Sequence, residues 1–334
     1  MLLGVYDRCT PLLSSEISIL SAMLSSFEET SRVFNDRGIC IGINTIRMVA
    51  QRFASRAKIG QHLEALPYTE SLDQRRVVVS TDGGRVRIRK NKRGPRTKKG
   101  RRRYTTCWKE PKLVIIYTVD TDGKMDRNFI PVIEGTLKGP DMAFGLLQYH
   151  LQRLNIGNAD KILFVADGAR WIWNRVENLI NSLGLTGSNV YELVDFYHAV
   201  EHLAKAADFK KNWKPSEKKR WIKKHRRLLI KGQTDEVINA IKTLCRGRNS
   251  KDLSVERNYF IRNQHRMCYQ KVADLKLPIG SGAMESAIRR VINLRMKGAS
   301  IYWLEKTAEA MLMLRSYYKS GRWNLLKKLS FSLV

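Results

Sequence analysis

Apolar positions recur at helical spacing over Glu16 to Leu24, Phe27 to Asn35 and Asn44 to Ala54, with a break at Asp36-Arg37-Gly38. Residues 1–70 are therefore expected to form a helical region. Its Gly-containing connection, followed by Asn44 as a helix-capping residue, fits a DNA-binding helix-turn-helix and equally a plain helical hairpin. From Arg75 the pattern changes to short runs rich in Val and Ile. Val77 to Ser80, Leu113 to Val119 and Phe129 to Ile133 predict three strands in series, and helix Asp141 to Leu154 follows. Strand Lys161 to Ala166, helix Arg170 to Leu183, strand Val190 to Val194 and helix Phe196 to Ala207 then alternate. Three strands followed by αβαβα predict an α/β fold, a mixed sheet with a parallel portion flanked by helices. Residues 209–276 are rich in Lys and Trp and contain no strand-like run, which predicts an all-helical insertion. The core pattern resumes over 277–325, where Leu277-Pro-Ile-Gly-Ser-Gly makes a loop and a long helix is expected from near Ala283.

Composition narrows the partners. The chain has 334 residues, 43% of them hydrophobic, enough for a sizeable core. Lys and Arg number 61 against 31 Asp and Glu, a formal charge of +30, so a polyanion is expected as partner: nucleic acid first, an anionic membrane surface second. No apolar run reaches the ~20 residues of a membrane span, and Met1 to Arg8 do not read as a secretory leader, which together predict a cytoplasmic, nucleoid-associated protein. Five scattered cysteines with no C-x-x-C pair fit reduced thiols and argue against a zinc finger. Between Arg85 and Arg103 lie twelve cations and no acid. Such a run repels itself and is expected to be a mobile excursion between the first two strands that touches phosphates through Arg85, Arg87, Arg89, Lys90, Arg101, Arg102 and Arg103.

Against that charge, three acids stand out. Asp82 closes Arg76-Val-Val-Val-Ser-Thr-Asp82, Asp167 closes Ile162-Leu-Phe-Val-Ala-Asp167, and Glu285 lies in Gly280-Ser-Gly-Ala-Met-Glu285 at a helix start. Carboxylates at the tips of apolar strands suit divalent metal ions aimed at a phosphate, because without a metal they would repel the anion that the rest of the surface attracts.

The order of these acids, with Asp195-Phe-Tyr-His198 between the second and the third, resembles the DDE transposases of bacterial insertion sequences, in their Mutator-like branch. Phe164-Val-Ala-Asp167-Gly-Ala-Arg-Trp171 carries the second acid of that pattern. Pro278-Ile-Gly-Ser-Gly-Ala-Met-Glu285 through Arg295-Met-Lys297 and Trp303 carries the third. The resemblance covers about residues 75–325. It implies a ribonuclease H-like catalytic core in two parts, 75–208 and 277–325, and two Mg2+ or Mn2+ ions held by Asp82, Asp167 and Glu285. It further implies cleavage of double-stranded DNA at transposon ends, strand transfer into target DNA, and a homo-oligomer in the synaptic complex. Asp195 and His198 would be accessory residues beside the site, and Arg289, Arg290, Arg295 and Lys297 would contact DNA along its groove.

Two other readings compete. His198-Ala-Val-Glu201-His202 is an H-x-x-E-H sequence, the pattern of a zinc metallopeptidase, with Glu256 or Glu285 as the third ligand. Alternatively the chain is a non-catalytic, basic nucleic-acid-binding protein whose histidines only pack.

Overall fold

The computed structural model describes residues 9–332 apart from 65, 67, 99, 101, 186, 188 and 246–250. Arg101, Met1 to Arg8 and the side chain of Cys245 therefore lie outside the described residues. Three helices come first: α1 (Pro11–Met23), α2 (Phe27–Asp36) and α3 (Ile43–His62). Thr10 and Ser26 cap α1 and α2 by accepting the N–H groups of Leu13 and Glu29, as short hydroxyl side chains do at helix starts. The buried positions Ile46, Val49, Ala50, Phe53, Ala54 and Ala57 form one face of α3. That face packs against α1, α13 (Glu305–Ser320) and α14 (Trp323–Phe331).

The core sheet follows, built from β1 (Arg76–Gly83), β4 (Lys112–Val119), β5 (Val132–Thr136), β6 (Lys161–Ala166) and β7 (Val190–Val194) in the order β5-β4-β1-β6-β7. The three strands first in sequence pair antiparallel, and β6 and β7 then add parallel to β1. Every residue of β4 is buried, which explains its unbroken apolar run between two covered faces. Helix α4 (Pro140–Arg153) packs on β4 and β5 and touches α5 (Arg170–Ser182), while α6 (Phe196–Asp208) leaves the end of β7. The insertion is helical among its described residues: α7 (Pro215–Ile230), α8 (Thr234–Cys245), α9 (Lys251–Asn263) and α10 (Tyr269–Asp274). It shares the main core, to which it contributes Leu229, Val237, Phe260 and Tyr269.

Three sequence expectations are corrected. The strand placed over Phe129 to Ile133 begins only at Val132, because Pro131 has no N–H to give to a ladder. The supposed mobile excursion is instead largely a two-stranded ribbon, β2 (Val86–Asn91) against β3 (Tyr104–Lys109). Val86 and Ile88 alternate inward and are buried, and Ile88 also bridges to Trp303, so the ribbon is tied to the core. The charges between these positions hid the alternation. Finally, the long helix expected from Ala283 is interrupted. It runs as α11 (Gly282–Ile288), a π-helical turn at Arg289–Asn293 and the short α12 (Leu294–Met296). Buried Arg315 donates to the carbonyls of Arg290 and Val291 in that turn and to Ala22, which supplies partners for backbone oxygens displaced from the regular ladder.

Candidate active site

Parallel pairing brings the first two acids together. β1 and β6 are in register from Arg76 beside Lys161 to Val79 beside Phe164. Asp82 lies at the end of β1 and Asp167 follows directly on β6, so the two acids stand at the same end of adjacent parallel strands. Each carboxylate uses Oδ1 within its own turn: Asp82 accepts from the N–H of Gly83 at 2.6 Å, and Asp167 from that of Ala169 at 3.0 Å. Trp173 Nε1 donates to the carbonyl of Asp167 at 2.6 Å and holds the turn against α5. Burial pushes the carboxyl of Asp82 up to about 6; the Gly83 N–H opposes the shift, while the negative charges of Asp167 and Glu110 add to it. Asp167 is raised as well, chiefly by burial. The charge of His198 on α6 lowers both carboxyls, and Lys112 lowers Asp167.

Lys112 is a site residue that sequence reasoning missed. It opens an apolar strand, is 5% exposed, bonds Glu110 at 2.7 Å and lies 3.9 Å from the ring centre of Trp171. The available signal was a lysine at the start of an otherwise apolar run.

Asp195 plays a different part from the other acids. It is fully buried at the start of α6, where Oδ1 accepts the N–H groups of Tyr197 and His198. Its Oδ2 accepts the N–H and the hydroxyl of Ser281, the latter at 2.6 Å. Four hydrogen bonds occupy this carboxylate, so it fastens the loop before α11 to the end of β7. The N–H of Phe196 donates to the carbonyl of Ile279 and reinforces the same junction. The backbone passes close to the Tyr197 ring at Gly280, where an added Cβ would lie 2.8 Å from it. Glu285 rides on α11, which packs against β1 and β4, and its side chain is exposed.

The insertion reaches this region. Tyr259 of α9 lies over Gly168, where an added Cβ would stand 2.2 Å from the ring, and Arg262 donates to the carbonyl of Gly168. His202 stacks on Tyr259 with ring centres 3.6 Å apart and bonds Glu256 at 2.5 Å. In the H-x-x-E-H sequence, then, His202 is engaged with the insertion, while His198 sits 3.6 Å from Glu201 and acts through its charge on both acids.

Of the cations assigned to DNA, Arg85, Lys90, Arg102, Arg103, Arg289 and Lys297 are exposed. Arg87 is half-buried, donates to the carbonyl of Gly298, and stacks on Tyr302 and Trp108; Arg89 is also half-buried. Arg290 is partly buried and bonds the carbonyl of Lys319. Arg295 differs from its expected place on an open groove: it is 5% exposed, lying between Phe27 and Trp303.

Asp82 and Asp167 themselves offer oxygen donors, and the second oxygen of each takes no hydrogen bond among the described residues. Mg2+ is usually bound by one or two carboxylates together with substrate phosphates, so the pair fits such an ion. Among the described residues no three His, Cys, Asp or Glu side chains converge to hold a metal, so Glu285 does not close the pair into a cluster. No protein family, curated protein or solved structure matches this chain.

Proposed function

We propose that this chain is a DDE-type transposase with a ribonuclease H-like core, which cuts double-stranded DNA at transposon ends and joins the freed strand to target DNA. The observation that carries this reading is the placement of Asp82 and Asp167 at the same end of parallel β1 and β6, close enough that the charge of Asp167 raises the Asp82 carboxyl. Such a pair calls for a cation, and the surplus of positive charge elsewhere calls for a polyanion. The strand order, with three antiparallel strands extended by two parallel ones, supports the core assignment.

In this reading Asp82 and Asp167 hold Mg2+ or Mn2+, and Glu285 is drawn in when substrate phosphate joins the site. Two such ions would activate the attacking oxygen and stabilise the leaving oxygen of an in-line displacement. Asp195 keeps α11 and its Glu285 at the strand ends. The charge of His198 lowers the cost of ionising the acids. The ribbon and the segment after Glu285 present cations to the DNA backbone, and a homo-oligomer brings two ends together. The peptidase reading is weaker, because His202 is committed to Glu256 and Tyr259.

The test is Mg2+-dependent cleavage of duplex DNA by the parent and by Asp82→Asn, Asp167→Asn and Glu285→Gln. All three substitutions should abolish cutting while leaving folding and DNA binding intact. Normal cutting by a folded Asp167→Asn protein would remove the assignment.

A further inference from the structure

Away from the acid pair, a cavity of about 230 Å3 opens between α2, α3, the β2 strand and the segment around Trp303. One water needs only ~10–15 Å3 of such space, so the cavity has room for one oxyanion with part of its hydration shell. Three guanidinium groups line it from three separate elements: Arg47 of α3, Arg89 of β2 and Arg295 of α12. None of the three forms an ion pair among the described residues. The acid nearest in influence is Glu29, which favours the charged form of Arg295 while its own Oε2 accepts the Ser25 N–H at 3.0 Å.

Arg295 is the anchor. It is 5% exposed, and its guanidinium carbon lies 5.5 Å from the ring centre of Phe27 and 5.1 Å from that of Trp303. Aromatic faces hold the guanidinium plane but leave its N–H edges in need of acceptors. Its Nε is buried with no hydrogen-bond partner among the described residues, and so is that of Arg89. Arg47 makes one side-chain bond among the described residues, a long one of 3.4 Å to Asn44. Burial lowers the Arg295 guanidinium to about 10, and Arg47 is lowered too, by burial first and then by the charge of Arg89. Like charges crowded around one opening cost free energy that a bound anion would recover. Ser26 and Phe27 add the N-terminal end of α2, ten residues long, to the same wall, and Ser300 sits there with the left-handed φ of 58°.

We propose that this cavity is a phosphate site that takes one backbone phosphate of duplex DNA, separate from the acid pair. Convergence from three directions suits a tetrahedral group with several acceptor oxygens better than a planar carboxylate, which a single arginine fork satisfies. Only the source of the phosphate rests on the nucleic-acid reading. The site joins α3, the ribbon and the stretch following Glu285, so an occupant would cross-link the N-terminal helices to the two parts of the core.

Binding of inorganic phosphate to the full chain, by calorimetry and by melting temperature against chloride at matched ionic strength, tests the site. The parent should bind. Arg47→Gln and Arg89→Gln should each weaken binding at least tenfold, and the exposed control Lys211→Gln should not. Arg295→Met risks misfolding, so the two half-buried arginines carry the test. An unphosphorylated duplex should displace the phosphate from the parent. Absence of phosphate binding, or equal binding by Arg47→Gln and Arg89→Gln, overturns the site. Phosphate that no duplex displaces overturns the DNA backbone as its source. Asp167→Asn should bind phosphate like the parent, so a failed nuclease reading would leave the result standing.

Discussion

The Asp195 carboxylate and the Ser281 hydroxyl meet at 2.6 Å, with both residues buried, and through this contact the end of β7 is bonded to the loop that launches α11. Removing one partner strands the groups that relied on it. Asp195→Ala leaves the N–H groups of Tyr197, His198 and Ser281 without their acceptor and should destabilise the fold by about 3–5 kcal/mol. Ser281→Ala removes one hydroxyl and should cost about 1–2 kcal/mol. A double-mutant cycle in urea should return a coupling of about 1–3 kcal/mol. A coupling near zero would mean that the two residues act independently.

Stability should depend on pH through the acid pair. The Asp82 carboxyl is raised from 3.8 to about 6 in the fold, so between those values the native state binds more protons than the unfolded chain. Stability therefore falls as pH rises through that window and levels off above about 6, by at most about 3 kcal/mol. Asp167 is displaced in the same direction and adds to the slope. Melting temperatures from pH 4 to 8, a range set by the ~4 to ~6 window, should show that Asp82→Asn flattens the decline. Mg2+ should raise the parent's melting temperature at the alkaline end and leave that of Asp82→Asn unmoved.

Gly168 is where the insertion bears on the second acid. A methyl group there would overlap the Tyr259 ring at 2.2 Å and crowd Asn263 at 2.9 Å, so α9 must shift. Gly168→Ala should lower stability by about 1–3 kcal/mol. It should depress DNA cleavage by more than the loss of folded protein accounts for. Shortening the obstacle, in Gly168→Ala with Tyr259→Leu, should recover part of both. Wild-type cleavage by the single variant would show that α9 does not position Asp167.

The two histidines of α6 should separate cleanly. His202→Ala loses the stack on Tyr259 and leaves Glu256, 9% exposed, without its partner, at a cost of about 2 kcal/mol. Cleavage per folded molecule should survive it. His198→Ala should leave stability nearly intact, raise the apparent pKa of the acid pair and slow cleavage. Stoichiometric zinc in the parent, lost in both variants, would contradict this division.

Exposed cations near the ribbon tip should act on salt dependence. Arg102→Gln and Arg103→Gln should weaken binding to all duplexes alike and lower the slope of log K against log salt by up to ~0.9 each. Binding measured across a salt titration with two unrelated duplexes is the check, and an unchanged slope would place both side chains in solvent.

How much of this was readable in the linear chain follows from the range of the forces involved. The strands around Asp82 and Asp167 and the helices from Pro140 to Asp208 are written in local periodicity, because burial of one face imposes a spacing on neighbouring residues. β6 spans Lys161–Ala166, the residues its apolar run marks. The acids could be nominated for the same reason, since each closes such a run. Their coming together could not, because strand order and register are set by pairing between segments far apart in sequence. The ribbon was concealed because its inward positions, Val86 and Ile88, alternate with charged residues. The π-helical turn after α11 depends on Arg315 and Ala22, which no local window contains together. Asp195 looked like a second-rank site acid, and only packing showed all its lone pairs directed at backbone and Ser281. Arg47, Arg89 and Arg295 belong to three ordinary basic stretches of sequence. Their convergence on one cavity arises from the docking of α2 and α3 against the ribbon and the Trp303 segment, a tertiary event driven by burial of Phe27 and Trp303 among other side chains.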